Sequence, residues 1–196
     1  MRKILIVDDD RVILHILAEG LRELGYEVAT AVSGADALRL ARESPFDLTV
    51  LDMRMPGMSG VEVARELRRD NLASFVFLSA FGDETVVRDA AEAGALGYLV
   101  KPVDIPQLVP FIEAAIARGQ EIDLLRSTAE QLEQALKVEQ KTRTAVGIIM
   151  ERKGLDRQEA FDLLRAKARS QRRKIGEVAD ELITAVEGMN LTLRAP

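Results

Sequence analysis

Apolar and polar positions along this chain follow two rhythms. Up to about residue 118, short apolar runs alternate with stretches whose apolar positions recur every three or four residues. The runs predict strands near 3–7, 26–30, 47–51, 74–78 and 97–100. The longer stretches predict helices near 11–24, 34–43, 60–69, 84–93 and 105–118. Turn residues punctuate them: Gly25, Ser33-Gly34, Pro45, Pro56-Gly57, Gly82-Asp83, Gly94 and Gly97. Five strand–helix units in series imply a parallel sheet with helices on both faces. Right-handed crossovers then give an α/β, doubly wound, five-stranded parallel sheet. In the fifth helix, Asp104 can cap and Pro106 fits the first turn. Pro110 predicts either a kink or a regular helix starting only near Gln107.

After Glu121 the rhythm changes. Ile122, Leu125, Ala129, Leu132 and Leu136 are spaced 3, 4, 3 and 4. That spacing is a coiled-coil seam of about two heptads. It suits a helical linker over 119–140 that continues the fifth helix and joins two chains. A linker packing on its own domain is the alternative. Beyond it no strand-like run remains. One helix is predicted near 141–153, burying Ala145, Val146, Ile148, Ile149 and Met150. Asp156 with Glu159 forms a capping pair for a second, which buries Ala160, Phe161, Leu163, Leu164 and Ala168. A third is predicted near 175–187, burying Val178, Ala179, Leu182, Ile183 and Val186, and residues 188–196 look frayed. The domains are thus expected at 1–118, 119–140 and 141–196, the last a three-helix unit.

Composition narrows the class. The 196 residues are 47% apolar and 30% charged, with no cysteine, so disulfides and thiolate metal sites are excluded. No apolar stretch approaches the ~18 residues of a membrane span, and no leader precedes the first strand. A cytoplasmic protein without membrane contact is expected. The net charge of −5 is uneven. Residues 1–140 carry 15 basic and 24 acidic side chains (−9), and residues 141–196 carry 12 and 8 (+4). A basic tail on an acidic body hints at a polyanionic partner.

The chemistry gathers at strand ends. The first run ends at Asp8-Asp9-Asp10, the third at Asp52, the fourth at Ser79 and the fifth at Lys101-Pro102. In a parallel sheet these ends share one edge, where open α/β folds bind ligands. Clustered carboxylates repel, and a hard divalent cation such as Mg2+ removes the conflict. Asp52 can then act as a nucleophile on phosphorus. Lys101 can neutralise phosphoryl oxygens, and the Ser79 hydroxyl can donate to them. Asp10 reads as a helix cap. The solitary His15 reads as a partly packed helix residue, so a phosphoryl donor must be another molecule.

These stretches resemble the receiver domain of two-component response regulators. They are Ile4-Leu5-Ile6-Val7-Asp8-Asp9-Asp10, Asp52-Met53-Arg54-Met55-Pro56-Gly57-Met58-Ser59-Gly60, Leu78-Ser79-Ala80 and Gly97-Tyr98-Leu99-Val100-Lys101-Pro102. The resemblance implies a flavodoxin-like fold with Asp52 as phosphoacceptor and a sensor histidine kinase as donor. It implies Mg2+ held by Asp8, Asp9, Asp52 and the Arg54 backbone carbonyl. Ser79 and Tyr98 would form a switch pair, and the Lys101–Pro102 bond would be cis. The receiver would assist only its own phosphorylation and dephosphorylation, with no enzymatic output.

The tail resembles the ANTAR family of RNA-binding transcription antiterminators, through Ala145-Val146-Gly147-Ile148-Ile149-Met150, Ala160-Phe161-Asp162-Leu163-Leu164-Arg165, Ala168 and Ile175-Gly176-Glu177-Val178-Ala179. The implied partner is a pair of small RNA hairpins in a nascent transcript, bound by a homodimer at least when phosphorylated. Arg165, Arg169, Arg172, Arg173 and Lys174 are the candidate RNA contacts, with Arg172-Arg173-Lys174 foremost. Phe161, the tail's only aromatic, falls at a core position, so arginines would do most of the base stacking. Two rivals stand beside this: a DNA-binding regulator and a phospho-switched protein adaptor. The acidic start of the third helix (Glu177, Asp180, Glu181) argues against DNA. Steep salt dependence would argue against the adaptor.

Overall fold

The computed structural model describes residues 1–80 and 84–192. The expected turn at Gly82-Asp83 and residues 193–196 lie outside them. Five parallel strands form one sheet: β1 (Lys3–Val7), β2 (Glu27–Ala31), β3 (Leu48–Asp52), β4 (Phe75–Ser79) and β5 (Tyr98–Val100). Their order is β2-β1-β3-β4-β5. The crossovers are α1 (Arg11–Glu23), α2 (Gly34–Glu43), α3 (Gly60–Arg69) and α4 (Glu84–Ala93).

Side-chain alternation along β1 builds two cores. Ile4 and Ile6 point to one face, where Leu14, Leu17 and Leu21 of α1 join Leu108, Ile112 and Ile116. Leu5 and Val7 point to the other, where Leu38 of α2, Val63 and Leu67 of α3 and Ala90 and Ala93 of α4 cover them. β3 and β4 are buried throughout. Continuous apolar runs rather than alternation are what a sheet covered on both faces requires.

Several strands start one residue later than their apolar runs suggest. For β2 the reason is visible: the Tyr26 amide donates to the Leu21 carbonyl, closing the end of α1. The first amide of β2 to reach β1 is therefore that of Glu27, which donates to the Arg2 carbonyl.

The fifth helix continues through the linker as expected, and departs from expectation in also absorbing the helix expected at 141–153. α5 runs unbroken from Ile105 to Lys153, 49 residues, so the helices expected at 105–118 and 141–153 and the linker between them are one. Between residues 118 and 153 there is no proline, and the two glycines, Gly119 and Gly147, are isolated, so nothing stops propagation. Asp104 caps the start, accepting from the Gln107 amide at 2.9 Å. The helix starts at Ile105 and passes through Pro110, rather than starting only near Gln107.

The chain divides between residues 123 and 124 into two compact units. The second consists of α5 beyond that point, α6 (Arg157–Ser170) and α7 (Ile175–Thr192), so helix continues past 187, where fraying was expected. Its core is rich in small residues: Ala145, Ala160, Ala168 and Ala179 with Val146, Ile149, Leu164 and Val178. Small side chains let the helices approach closely. At Gly176 an added Cβ would lie 3.0 Å from a methyl of Val138. Asp156 and Glu159 form the expected reciprocal cap of α6. The helix ends with the Arg173 amide on the Ala168 carbonyl, the Arg172 amide on the Arg169 carbonyl and Arg172 at φ +53, the pattern of a Schellman motif. Expected core residues Leu163 and Phe161 are less enclosed than predicted. Leu163 is 41% exposed, and Phe161 only packs against the core's edge. The buried stripe of α6 is Ala160, Leu164 and Ala168, one residue per turn, and Leu163 falls off it.

Candidate functional site

The sheet register assembles the site. Val7 pairs with Leu51, so Asp8, one step beyond, comes beside Asp52 at the end of β3. Asp52 pairs with Leu78 and Ser79 with Val100, which brings Lys101 to the same edge. The order β2-β1-β3 reverses direction at β1, and this is the crevice where such sheets take ligands.

Lys101 sits between two carboxylates. Its Nζ donates to Asp8 Oδ2 at 2.6 Å and to Asp52 Oδ1 at 2.7 Å. The other oxygens are held by backbone: the Asp10 amide donates to Asp8 Oδ1 and the Arg54 amide to Asp52 Oδ2, both at 2.9 Å. Asp8 is 2% and Asp52 6% exposed, and the Lys101 side chain is 17% exposed. Burial pushes the Asp52 carboxyl above its ordinary value, and Asp8 adds to this. The Lys101 hydrogen bond and charge, with the Arg54 amide, oppose it without prevailing. For Lys101, burial pulls downward, but hydrogen bonds and charge from both aspartates outweigh it and hold the ammonium above its ordinary value. Both are raised because one ammonium serves two buried carboxylates: the lysine gains from both, while Asp52 gets only a share of one partner's charge against the cost of its burial.

The close approach behind Asp52 depends on glycine. A Cβ at Gly60 would lie 2.0 Å from the Asp52 carbonyl oxygen. The Gly60 amide donates to the Met53 carbonyl, and Ser59 with Glu62 caps α3 at that point. Gly60 lies in the Asp52–Gly60 stretch but had no assigned role. A glycine at the first position of a capped helix just after a functional strand end is the signal that could have found it.

Other predicted residues are placed as follows. Asp9 is exposed, and among the described residues no three carboxylate or imidazole side chains close on one point. Ser79 is buried at the end of β4, and its carbonyl accepts from the Lys101 amide at 2.7 Å. Tyr98 is partly buried against the α2–α3–α4 core. The Lys101–Pro102 bond is cis. Asp10 caps α1 as expected. His15, expected to be partly packed, is exposed on α1, because the buried stripe there is Leu14, Leu17, Ala18 and Leu21.

On α5, the seam residues Ile122, Leu125, Ala129, Leu132 and Leu136 are all exposed, Leu125 and Leu132 at 61% each. In the second unit Arg165, Arg169, Arg172 and Lys174 are exposed. Arg173 is exposed too, but its guanidinium turns back onto Glu177, at 3.5 Å, and Glu181. No described helix is long and apolar enough to cross a membrane.

A five-stranded sheet in this order, with two buried aspartates and a lysine at its carboxyl edge, defines a receiver. The model of the response regulator receiver domain matches residues 4–113, and that of the ANTAR domain matches residues 130–183. The chain belongs to the two-component response regulators that join a receiver to an ANTAR domain. It is 35% identical to the transcriptional regulatory protein PdtaR of Mycobacterium tuberculosis over 183 residues, 93% of this chain and 89% of that one. PrrA of the same organism is 45% identical over 117 residues, 59% of this chain and 50% of PrrA. Among solved structures, a response regulator receiver domain protein from Clostridium thermocellum aligns with a TM-score of 0.58 at 34% identity. It covers 62% of this chain and 99% of that one. TrrA of Thermotoga maritima, in complex with Mg2+-BeF, aligns with a TM-score of 0.54 at 36% identity, covering 59% of this chain and 99% of TrrA.

Proposed function

We propose that this response regulator accepts a phosphoryl group on Asp52 from a sensor histidine kinase and then controls transcription antitermination by binding RNA hairpins through its helical second unit. One observation carries the reading: two buried carboxylates sharing a single ammonium at the strand edge. Such a cluster holds unneutralised negative charge poised beside a nucleophile.

An Asp52 oxygen attacks the phosphorus of a phosphohistidine; the P–N bond breaks, the imidazole leaves with the electron pair, and an acyl phosphate forms. The site's donors suit Mg2+. The Asp8, Asp9 and Asp52 carboxylates and the Arg54 backbone carbonyl are hard oxygen donors and would hold the ion. When bound, the ion neutralises charge on the carboxylates and on the phosphoryl oxygens. Lys101 supplies a second positive charge, and the Ser79 hydroxyl donates to a phosphoryl oxygen. Inward movement of Ser79 opens room for the Tyr98 ring, and the phosphoryl group selects that conformer.

The exposed stripe from Ile122 to Leu136 pairs with the same stripe of a second copy, as a two-heptad seam. Pairing sets two ANTAR units side by side, and tandem hairpins then bind with raised effective concentration. The output is binding and not turnover.

The full chain incubated with Mg2+ and a labelled acyl phosphate tests the first half. Label on wild type and none on Asp52→Asn is expected; label persisting on another residue overturns the assignment. Crosslinking to total RNA with and without phosphorylation tests the second half. A preference for duplex DNA over structured RNA would end the RNA reading.

A further inference from the structure

Within the second unit an open groove of about 920 Å3 separates the end of α5 from the start of α6. Arg143, Gly147 and Met150 line it from α5; Arg157, Gln158 and Phe161 line it from α6. Gly147 is the informative residue. It lies inside a helix, where glycine weakens the structure relative to alanine. Yet a Cβ added there would meet nothing within 4 Å. No neighbour in this chain requires the missing side chain, and its absence bares backbone on the groove floor.

Phe161 was expected in the core. Instead its ring packs on the core at one side and lines the groove at the other. The lining carries two guanidinium groups, Arg143 and Arg157, against one carboxylate, Glu139. Arg157 has no carboxylate partner among the described residues. Arg143 pairs only with Glu139 one turn back at 2.5 Å, an exposed contact that a stronger anion can displace. The Gln158 amide is already given to Asp162, at 3.1 Å; an aromatic ring, bare backbone and two guanidinium groups remain, and these are the chemistry that holds an unstacked nucleobase and its flanking phosphates.

We infer that this groove receives one unpaired base of an RNA loop, stacked on Phe161, with adjacent phosphates held by Arg143 and Arg157. The inference rests on the RNA-binding reading of the second unit. It moves base recognition away from the 172–174 turn, where Glu177 and Glu181 already engage Arg173.

The test uses the full chain and a pool of RNA hairpins with one stem and a randomised loop, against the same stem as blunt duplex RNA. Wild type should prefer hairpins and crosslink through groove residues. Gly147→Leu fills the floor, and Phe161→Leu removes the ring while keeping apolar packing. Each should weaken hairpin binding about tenfold, the loss of one stacked base. Duplex binding should hold for both, and Gly147→Leu, whose added side chain starts in open space, should not lower the thermal midpoint. If both variants keep the hairpin preference while crosslinks fall on residues 172–174, the groove assignment is overturned and the RNA reading stands. If wild type binds neither RNA but retains a glutamate-rich peptide, both fall.

Discussion

Replacing Lys101 with methionine leaves Asp8 and Asp52 buried with no counter-charge. The lysine contacts them at 2.6 and 2.7 Å. At an effective dielectric of about 20, each such contact is worth roughly 6 kcal/mol before desolvation. Most of that offsets the cost of dehydrating the ammonium, and breaking one side of a buried pair costs about 3–5 kcal/mol net. Asp52 can relieve the strain by taking a proton, which points to the lower end, about 3 kcal/mol. For a unit of this size that is a fall of roughly 10 °C in Tm.

Asp52→Asn should act in the opposite direction, because it leaves Lys101 with Asp8 alone. The Asp52 pKa is raised on folding above its ordinary 3.8. A raised carboxyl binds its proton more tightly when folded. Its contribution to stability therefore declines as pH climbs from 3.8 through the raised value, and its ionised form is a burden at neutral pH. The stabilisation of Asp52→Asn should be present at pH 7 and vanish below pH 3.8. Urea unfolding followed by circular dichroism, with a metal chelator present, measures both variants. An unchanged midpoint for Lys101→Met would refute the shared-ammonium account. So would an Asp52→Asn variant as unstable as Lys101→Met.

Three further outcomes are expected. Thr49 is 0% exposed and its hydroxyl has no hydrogen-bond partner among the described residues; Thr49→Val should raise unfolding stability by about 1 kcal/mol in urea titration, since an unsatisfied buried hydroxyl is removed. Gly60→Ala forces a methyl against the Asp52 carbonyl oxygen; it should cost about 1–3 kcal/mol and reduce acyl-phosphate labelling, and retention of full labelling would show that α3 can shift freely. Leu125→Asp with Leu132→Asp puts charges on the exposed stripe of α5; sedimentation of the phosphorylated chain should lose its dimer, and a persisting dimer would place pairing on another surface.

Most of the receiver was legible because each signal was local. Apolar runs ended in Asp8, Asp52, Ser79 and Lys101, and parallel pairing carries strand ends to one edge. Residues whose roles depend on a distant neighbour were not legible. Gly60 matters because α3 abuts the backbone of Asp52. Arg173 is engaged because α7 returns glutamates to it. Phe161 fits helical core spacing, and only the narrow stripe of small residues between α6 and its neighbours leaves it at a groove.

Sequence by itself determined the class of sheet, its five strand–helix units, the helix caps at Asp10, Asp104 and Asp156, and the acidic strand-end cluster. Periodicity and capping act within a few residues, so the local chain encodes them. Tertiary structure alone decided that one ammonium would be shared by Asp8 and Asp52, and that Gly147 would line an open groove. Those outcomes depend on distances between segments far apart in the chain, and on which buried charges must share a partner once water is gone.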